Sequence, residues 1–202
     1  MKTIITAFAV LIGVQAALAS NYPAPQTFAI VTGDMSIGHG CAVNGLTITN
    51  HHMVDKYNKD GDLETVFFRY EFPGGGTGWG KSVKVSKNAD LAVVSLDAPP
   101  PFGFAELGPK PEIGDKVYWV EYNFEDPDEA MRRVERRAEV SNVVAGYITA
   151  DKEVVPGASG GCVYNEAGQV VGLVTFGMGL GRGRSAIGIT GLWGKWFTDV
   201  AK

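Results

Sequence analysis

Short apolar runs separated by turn residues recur along nearly the whole chain. Thr27 to Thr32 is apolar and partly β-branched, and Gly38 to Val43 leads into Asn44-Gly45. Asn-Gly between apolar runs is a strong hairpin signal. Leu46-Thr47-Ile48-Thr49 then alternates with period two, as a half-buried strand does. It delivers Asn50-His51-His52-Met53-Val54 at its end. Val66 to Phe72 reads as a strand, followed by a glycine-rich turn, and Val83 to Val85 and Leu91 to Val94 follow. Asp97 to Asp115 carries Pro99, Pro100, Pro101, Pro109 and Pro111. Those prolines exclude a regular helix or a central strand. This connector divides 20–105 from 106–190.

The second half opens with the strand Val117 to Val120, and Phe124 to Glu129 is acidic and loop-like. Met131 to Ala138 has helix-favouring Arg and Glu but runs into the strand-like Val140 to Thr149, so most of this arm reads as one long strand. Gln169 to Phe176 and Ala186 to Thr190 are the last strands. In 191–202, Trp193, Trp196, Phe197 and Val200 fall at i, i+3, i+4 and i+7, one face of a short amphipathic helix. Short strands with glycine-rich turns and almost no helix predict an all-β fold, a sandwich or barrel.

The first nineteen residues differ in kind. Lys2 is followed by the apolar run Ile4 to Val14 and by Ala17-Leu18-Ala19, an A-x-A cleavage pattern. This reads as a secretory signal peptide, 1–19, cut before Ser20. The apolar run is short for a membrane span of about 20 residues, so no stable anchor is expected after cleavage and the location is secreted or periplasmic. Charged residues are 20% and hydrophobic ones 45% of 202, with a net charge of -4. That is a globular composition, and without a basic tract it does not suggest nucleic-acid binding. Cys41 and Cys162 are the two cysteines. In an oxidising compartment they can pair; buried free thiols are the alternative. No CxxC metal pattern occurs.

Two motifs fail their own context. Gly75-Gly76-Thr77-Gly78-Trp79-Gly80-Lys81-Ser82 matches the P-loop pattern, but the residues after it alternate like a strand. A phosphate cradle needs a helix N-terminus there. The simpler reading is a glycine-rich hairpin tip. Gly157-x-Ser159-x-Gly161 matches the nucleophile elbow, whose fold orders Ser, acid, then His. Here His39, His51 and His52 all precede Ser159.

Ser159 nevertheless sits in Val155-Pro156-Gly157-Ala158-Ser159-Gly160-Gly161-Cys162-Val163. This is either a plain turn or a nucleophile on a turn, with the amides of Gly157 and Ser159 as an oxyanion hole. A serine nucleophile needs a base, and the base an orienting carboxylate. The bases are the three histidines. The best carboxylate is Asp90, just before a buried apolar strand; Asp55, Asp60 and Asp62 lie in a polar loop.

Taken in order, these segments resemble the chymotrypsin-like serine peptidases. Thr49-Asn50-His51-His52-Met53-Val54 is similar to their T-[AN]-x-H-[CV]-V, Asp90-Leu91-Ala92-Val93 to D-[IL]-A-[VL], and Gly157-Ala158-Ser159-Gly160-Gly161 to G-[DN]-S-G-G. Pro111 to Val117 resembles the start of the second barrel, and Gln169 to Gly177 the strand lining the cleft. The nearest flavour is the HtrA-type and small bacterial or viral members, without a PDZ module. The resemblance implies two antiparallel six-stranded β-barrels and a short C-terminal helix. It implies His52 as base, Asp90 as orienting acid, Ser159 as nucleophile, and Thr175 as a hydroxyl supporting the acid. A specificity pocket of Val154, Thr175, Phe176 and Gly177, with Glu153 at its base, follows by position. The expected activity is endopeptidase hydrolysis of a polypeptide by a monomer that needs no metal or cofactor. A binding module on the same fold, an esterase and, least, a nucleotide binder at 75–82 are the rivals. The chain departs from the pattern at Ala158, where Asp or Asn is usual, and at Cys162, where Pro is usual. It also lacks the Ile-Val-Gly-Gly start and most of the disulfides. With no charge at Ala158 to satisfy, activity is expected once the signal is removed, without further cleavage.

Overall fold

The computed structural model describes residues 26–32, 37–56, 64–73, 75–123, 132–144, 146–150, 152, 157–181, 184–193, 195 and 197. Its strands close into two antiparallel barrels of six each. The first contains β1 (Thr27–Thr32), β2 (Ile37–Val43), β3 (Leu46–Thr49), β4 (Phe67–Phe72), β5 (Gly76–Ser86) and β6 (Leu91–Leu96), in spatial order β1-β2-β3-β6-β5-β4. The second contains β7 (Lys116–Asn123), β8 (Arg132–Val144), β9 (Tyr147–Ala150), β10 (Cys162–Asn165), β11 (Val170–Gly181) and β12 (Arg184–Gly191), in order β10-β11-β12-β9-β8-β7. Closure pairs β1 with β4 and β10 with β7, which leaves neither sheet an open edge.

Local chemistry explains the strand ends. Asn44 and Gly45 both take positive φ, 47° and 78°. Two left-handed residues give the turn twist that matches a hairpin, so β2 folds back on β3. The Arg- and Glu-rich arm is strand: β8 pairs with β7 from Lys116↔Glu139 to Asn123↔Arg132. Tertiary pairing overrides the helical preference of those residues. The turn at Gly146 (φ 97°) ends the arm and starts β9.

The P-loop pattern is resolved in the same way. Only its start lies in the turn, and Gly76 to Ser82 belongs to β5. Ser82 is buried and its hydroxyl accepts the Val66 amide at 2.9 Å. The expected hairpin tip is therefore mostly strand, and no helix N-terminus follows the motif to hold a phosphate. The expected C-terminal helix falls largely outside the described residues, as does the signal peptide. Of that tail, Phe197 is described and buried.

Three apolar clusters hold the molecule. Phe28, Ile30, Phe68, Tyr70 and Phe72 fill the first barrel. Trp119, Ile148, Val163, Val174 and Ile187 fill the second. A third joins them, with Cys41, Val43, Ile48 and Leu91 packed on Tyr118, Cys162, Tyr164 and Leu173. Each fully buried Ile, Leu or Phe contributes roughly 1.5–3 kcal/mol. The proline-rich connector adds one bridge to each barrel, Val43↔Ala105 and Leu107↔Val170. The seam between the barrels is thus a core in its own right, and loops gathered along it are held by both sides.

Candidate active site at the barrel seam

Asn50 to Val54 leave the end of β3. They do not extend the strand: His51–Val54 form one 3-10 turn, because Met53 N bonds back to the Asn50 carbonyl at 3.2 Å. The turn sends the two histidines in different directions. His51 is buried and its Nε2 lies 3.7 Å from Asp55 Oδ1. His52 points outward, with 43% of its side chain exposed.

Asp90 meets His52 from the turn before β6. Its φ of 47° is left-handed, a conformation Asp tolerates better than most residues. That turn aims both carboxylate oxygens at one residue. Oδ1 accepts the His52 amide at 3.0 Å and Oδ2 lies 2.9 Å from His52 Nδ1. The carboxylate is 18% exposed. The contact fixes the ring through Nδ1 and leaves Nε2 on the far side. Both residues come from the first barrel.

Ser159 comes from the second. It sits in a turn ahead of β10, with Gly157 at φ 91° and Gly160 at φ 88°. Both angles are open to glycine and strained for other residues. At Gly160 a Cβ would also overlap the His39 carbonyl oxygen and the Thr49 hydroxyl. Ser159 Oγ donates to the Thr175 carbonyl at 3.1 Å. Among the described residues, no backbone acceptor takes the Gly157 or Ser159 amide.

Asn50 connects the two halves, and the sequence reading passed over it. Its Nδ2 donates to the Asp90 carbonyl at 3.2 Å and to Thr175 Oγ1 at 3.3 Å. A hydrogen-bonded path therefore runs from the Asp90 backbone through Asn50 to Thr175, whose carbonyl receives Ser159. The available signal was its position one step before the histidine pair, at the close of a strand whose side chains alternate.

Thr175 differs from the expected support of the acid. Its hydroxyl bonds Thr190 Oγ1 at 2.7 Å and takes Asn50, and Asp90 is occupied by His52 instead. The cause is a register shift of β11 against β12 between Val174 and Phe176, which turns Thr175 inward. Buried and hydrogen-bonded on several sides, Thr175 lines no open pocket through its hydroxyl. Phe176 and Gly177 are exposed, and the Phe176 ring lies over Gly188 and near Tyr147, 6.4 Å between ring centroids. Glu153 and Val154 lie outside the described residues.

Cys41 of β2 and Cys162 of β10 are joined in a disulfide with Cα atoms 5.0 Å apart. It crosses the seam three residues beyond Ser159. Cys162 N also donates to Thr27 Oγ1 at 3.0 Å, and Gln26 N to the Tyr164 hydroxyl at 2.7 Å. The Ser159 turn is therefore bolted to the first barrel as well as to its own.

Comparison with known proteins follows the same lines. Among solved structures the chain is similar to the MamO protease domain of Magnetospirillum magneticum in its apo form. Identity is 18% and the TM-score 0.60, over 83% of this chain and 92% of that one, a likeness of fold. A comparison with curated proteins finds no match. The model of the trypsin-like peptidase domain matches residues 35–173, more than half of the chain and a span that contains His52, Asp90 and Ser159. The chain belongs to the family of trypsin-like peptidase domains.

Proposed function

We propose that the protein is an exported serine endopeptidase. Asp90 orients His52, His52 is the general base and Ser159 the nucleophile. The observation that carries this is the two-point grip of Asp90 on His52, at 2.9 and 3.0 Å, with Asn50 bonding both the Asp90 carbonyl and Thr175, the residue whose carbonyl accepts Ser159 Oγ. A carboxylate on Nδ1 fixes the tautomer that leaves Nε2 as a proton acceptor.

The reaction is acyl transfer in two halves. In the resting site the Ser159 hydroxyl rests on the Thr175 carbonyl. It turns toward His52 Nε2 when substrate arrives; such hydrogen bonds are commonly long or misaligned before substrate binds. Ser159 Oγ attacks the peptide carbon as its proton passes to His52. The oxyanion takes hydrogen bonds from the Gly157 and Ser159 amides, donors aimed in advance at the developing charge. His52 then gives the proton to the leaving amine, the C–N bond breaks, and an acyl ester stays on Ser159. Water repeats the sequence and frees the acid. The Asp90 carboxylate stays ionised and stabilises the imidazolium.

For specificity, the exposed Phe176 ring over Gly188 supports an apolar wall beside the reacting bond. A large hydrophobic residue is then preferred there. Were a buried Glu153 carboxylate to form the base of the pocket, the preference would turn to Lys or Arg.

A peptide library incubated with the protein and read by mass spectrometry tests this. Internal cleavage that disappears in Ser159→Ala supports a peptidase, and the residue before each cut reports the pocket. A preference for acidic residues at that position contradicts both versions of the pocket. Peptides bound but left whole favour the binding module, and ester hydrolysis without peptide hydrolysis favours the esterase.

A further inference from the structure

Asn50 is fully buried where β3 ends. The ladder of β3 on β6 stops at Thr49↔Ala92, and the chain then enters the 3-10 turn His51–Val54. The Asn50 side chain makes the next link: its Nδ2 donates to the Asp90 carbonyl at 3.2 Å. That carbonyl can only accept, so the side-chain atom facing it is the nitrogen. The second proton of Nδ2 goes to Thr175 Oγ1 at 3.3 Å. Thr175 Oγ1 also accepts the Thr190 amide at 3.0 Å, and its own proton has the Leu173 carbonyl within reach at 3.1 Å. Both donors of Asn50 are therefore used. Its Oδ1 is buried with no hydrogen-bond partner among the described residues. A buried unpaired acceptor costs stability, so the two donors are what this position uses.

What they do follows from Asp90. The Asp90 amide donates to the Lys87 carbonyl at 3.2 Å, and the Asp90 carbonyl is taken by Asn50. Peptide units are planar. Holding the plane on each side of the Asp90 Cα therefore fixes both backbone angles and the direction of Cβ. The φ of 47° is left-handed, and a residue other than glycine stays there only when its surroundings hold it. The Cβ so directed carries the carboxylate that grips His52 at two points. Without a donor on its carbonyl, the Asp90 turn is free to relax and to swing the carboxylate off the ring.

We propose that Asn50 is a positioning residue for the reaction: its side-chain amide holds the Asp90 carbonyl, and with it the left-handed turn that aims the Asp90 carboxylate at His52. The bond to Thr175 ties that aim to the barrel that carries Ser159. This rests on the peptidase reading above. Asn50 touches no reacting atom and acts through Asp90.

The test measures kcat and KM on a peptide ester for the wild-type chain, Asn50→Leu and Asn50→Ser, each well below its own melting temperature. Leu has a similar shape and no donor. Ser has a hydroxyl on a stem too short to reach both acceptors. A misplacement of about 1 Å costs on the order of 10² in rate. Both variants should lose about 100-fold in kcat with KM within about threefold. Should Asn50→Leu fail to fold, Asn50→Ser makes the same comparison. The variant that folds is then combined with Asp90→Ala. Residues that act as one unit are not additive, so on that background the Asn50 change should cost less than about threefold more. Folded Asn50 variants with wild-type kcat overturn the role. So does a rise in KM at unchanged kcat, or a full 100-fold further loss on the Asp90→Ala background. A wild-type chain that hydrolyses neither ester nor peptide overturns the peptidase reading and this role with it. An active wild type with silent Asn50 variants overturns this role alone.

Discussion

The two halves of the site are held in different ways. In the first barrel, His52 and Asp90 meet at an exposed rim through side-chain and amide contacts. In the second, the Ser159 turn is fixed by buried main-chain hydrogen bonds, two positive-φ glycines and a disulfide to β2. The difference matches the tasks proposed for them. A proton carrier must reach water and turn slightly between two partners. A pair of oxyanion amides must not move, because their effect depends on being aimed beforehand. The rim half should therefore tolerate changes of packing but not of chemistry, and the turn half should tolerate neither.

The largest effects test the chemistry. Ser159→Ala, His52→Ala and Asp90→Ala should each lower kcat by about 10⁴ or more at an unchanged melting temperature. His51→Ala is the contrast within the same 3-10 turn. Its side chain is buried toward Asp55, so kcat should stay within about tenfold while stability falls. Equal losses from His51→Ala and His52→Ala at equal stability would erase the distinction between the two rings.

Next comes the staple of the turn half. The disulfide closes 121 residues of sequence separation. In the loop-entropy description, bridges across about 100 residues are worth on the order of 4–5 kcal/mol. Reduction, or the double change Cys41→Ala with Cys162→Ala, should lower urea-unfolding stability by several kcal/mol and loosen the turn. Unaltered stability after verified reduction would show that the seam core carries the load alone.

The buried histidine sets a third, smaller effect. Burial lowers the His39 pKa from 6.5 to about 4. As pH falls from 6.5 to 4, the unfolded chain takes up a proton that the folded chain refuses. Stability from this group is complete above pH 6.5 and is lost on acidification through that window. At about 1.4 kcal/mol per pH unit, the loss approaches about 3 kcal/mol. The stability-against-pH curve of His39→Gln should be flatter between pH 4 and 6.5, and parallel curves would contradict the assignment. The smallest effect is at Lys81, an exposed residue of β5. Lys81→Ala should change kcat/KM and stability by less than about 0.5 kcal/mol.

The sequence was legible where local chemistry decides the outcome. The Asn44-Gly45 hairpin, the proline connector and the period-two strands come from residues that act on their own neighbours, and they lead to an all-β fold, a sandwich or barrel; the two barrels follow from the family resemblance. The sequence was less legible where the deciding partner is distant. His51 and His52 separate because a 3-10 turn replaces the strand, and their spacing alone does not distinguish the two. Thr175 bonds Thr190 and Asn50 because of a register shift that no composition signals. The same holds for Asn50, a polar residue at a strand end until its two partners are placed beside it. The pairing of Cys41 with Cys162 stays open in the sequence because it needs two strands of different barrels brought to 5.0 Å. The glycine-rich match at 75–82 misleads for the opposite reason: the local pattern is complete, and β-pairing gives it another use.

The central claim is that the exposed His52–Asp90 pair activates the hydroxyl of the rigid Ser159 turn. The most direct measurement is the rate of covalent labelling by a serine-directed phosphonate, with the adduct mapped by peptide mass spectrometry, in the wild-type chain and in His52→Ala. The account predicts one adduct, on Ser159, forming at least about 10³-fold more slowly without His52. An adduct elsewhere, or equal labelling rates in the two proteins, would contradict it.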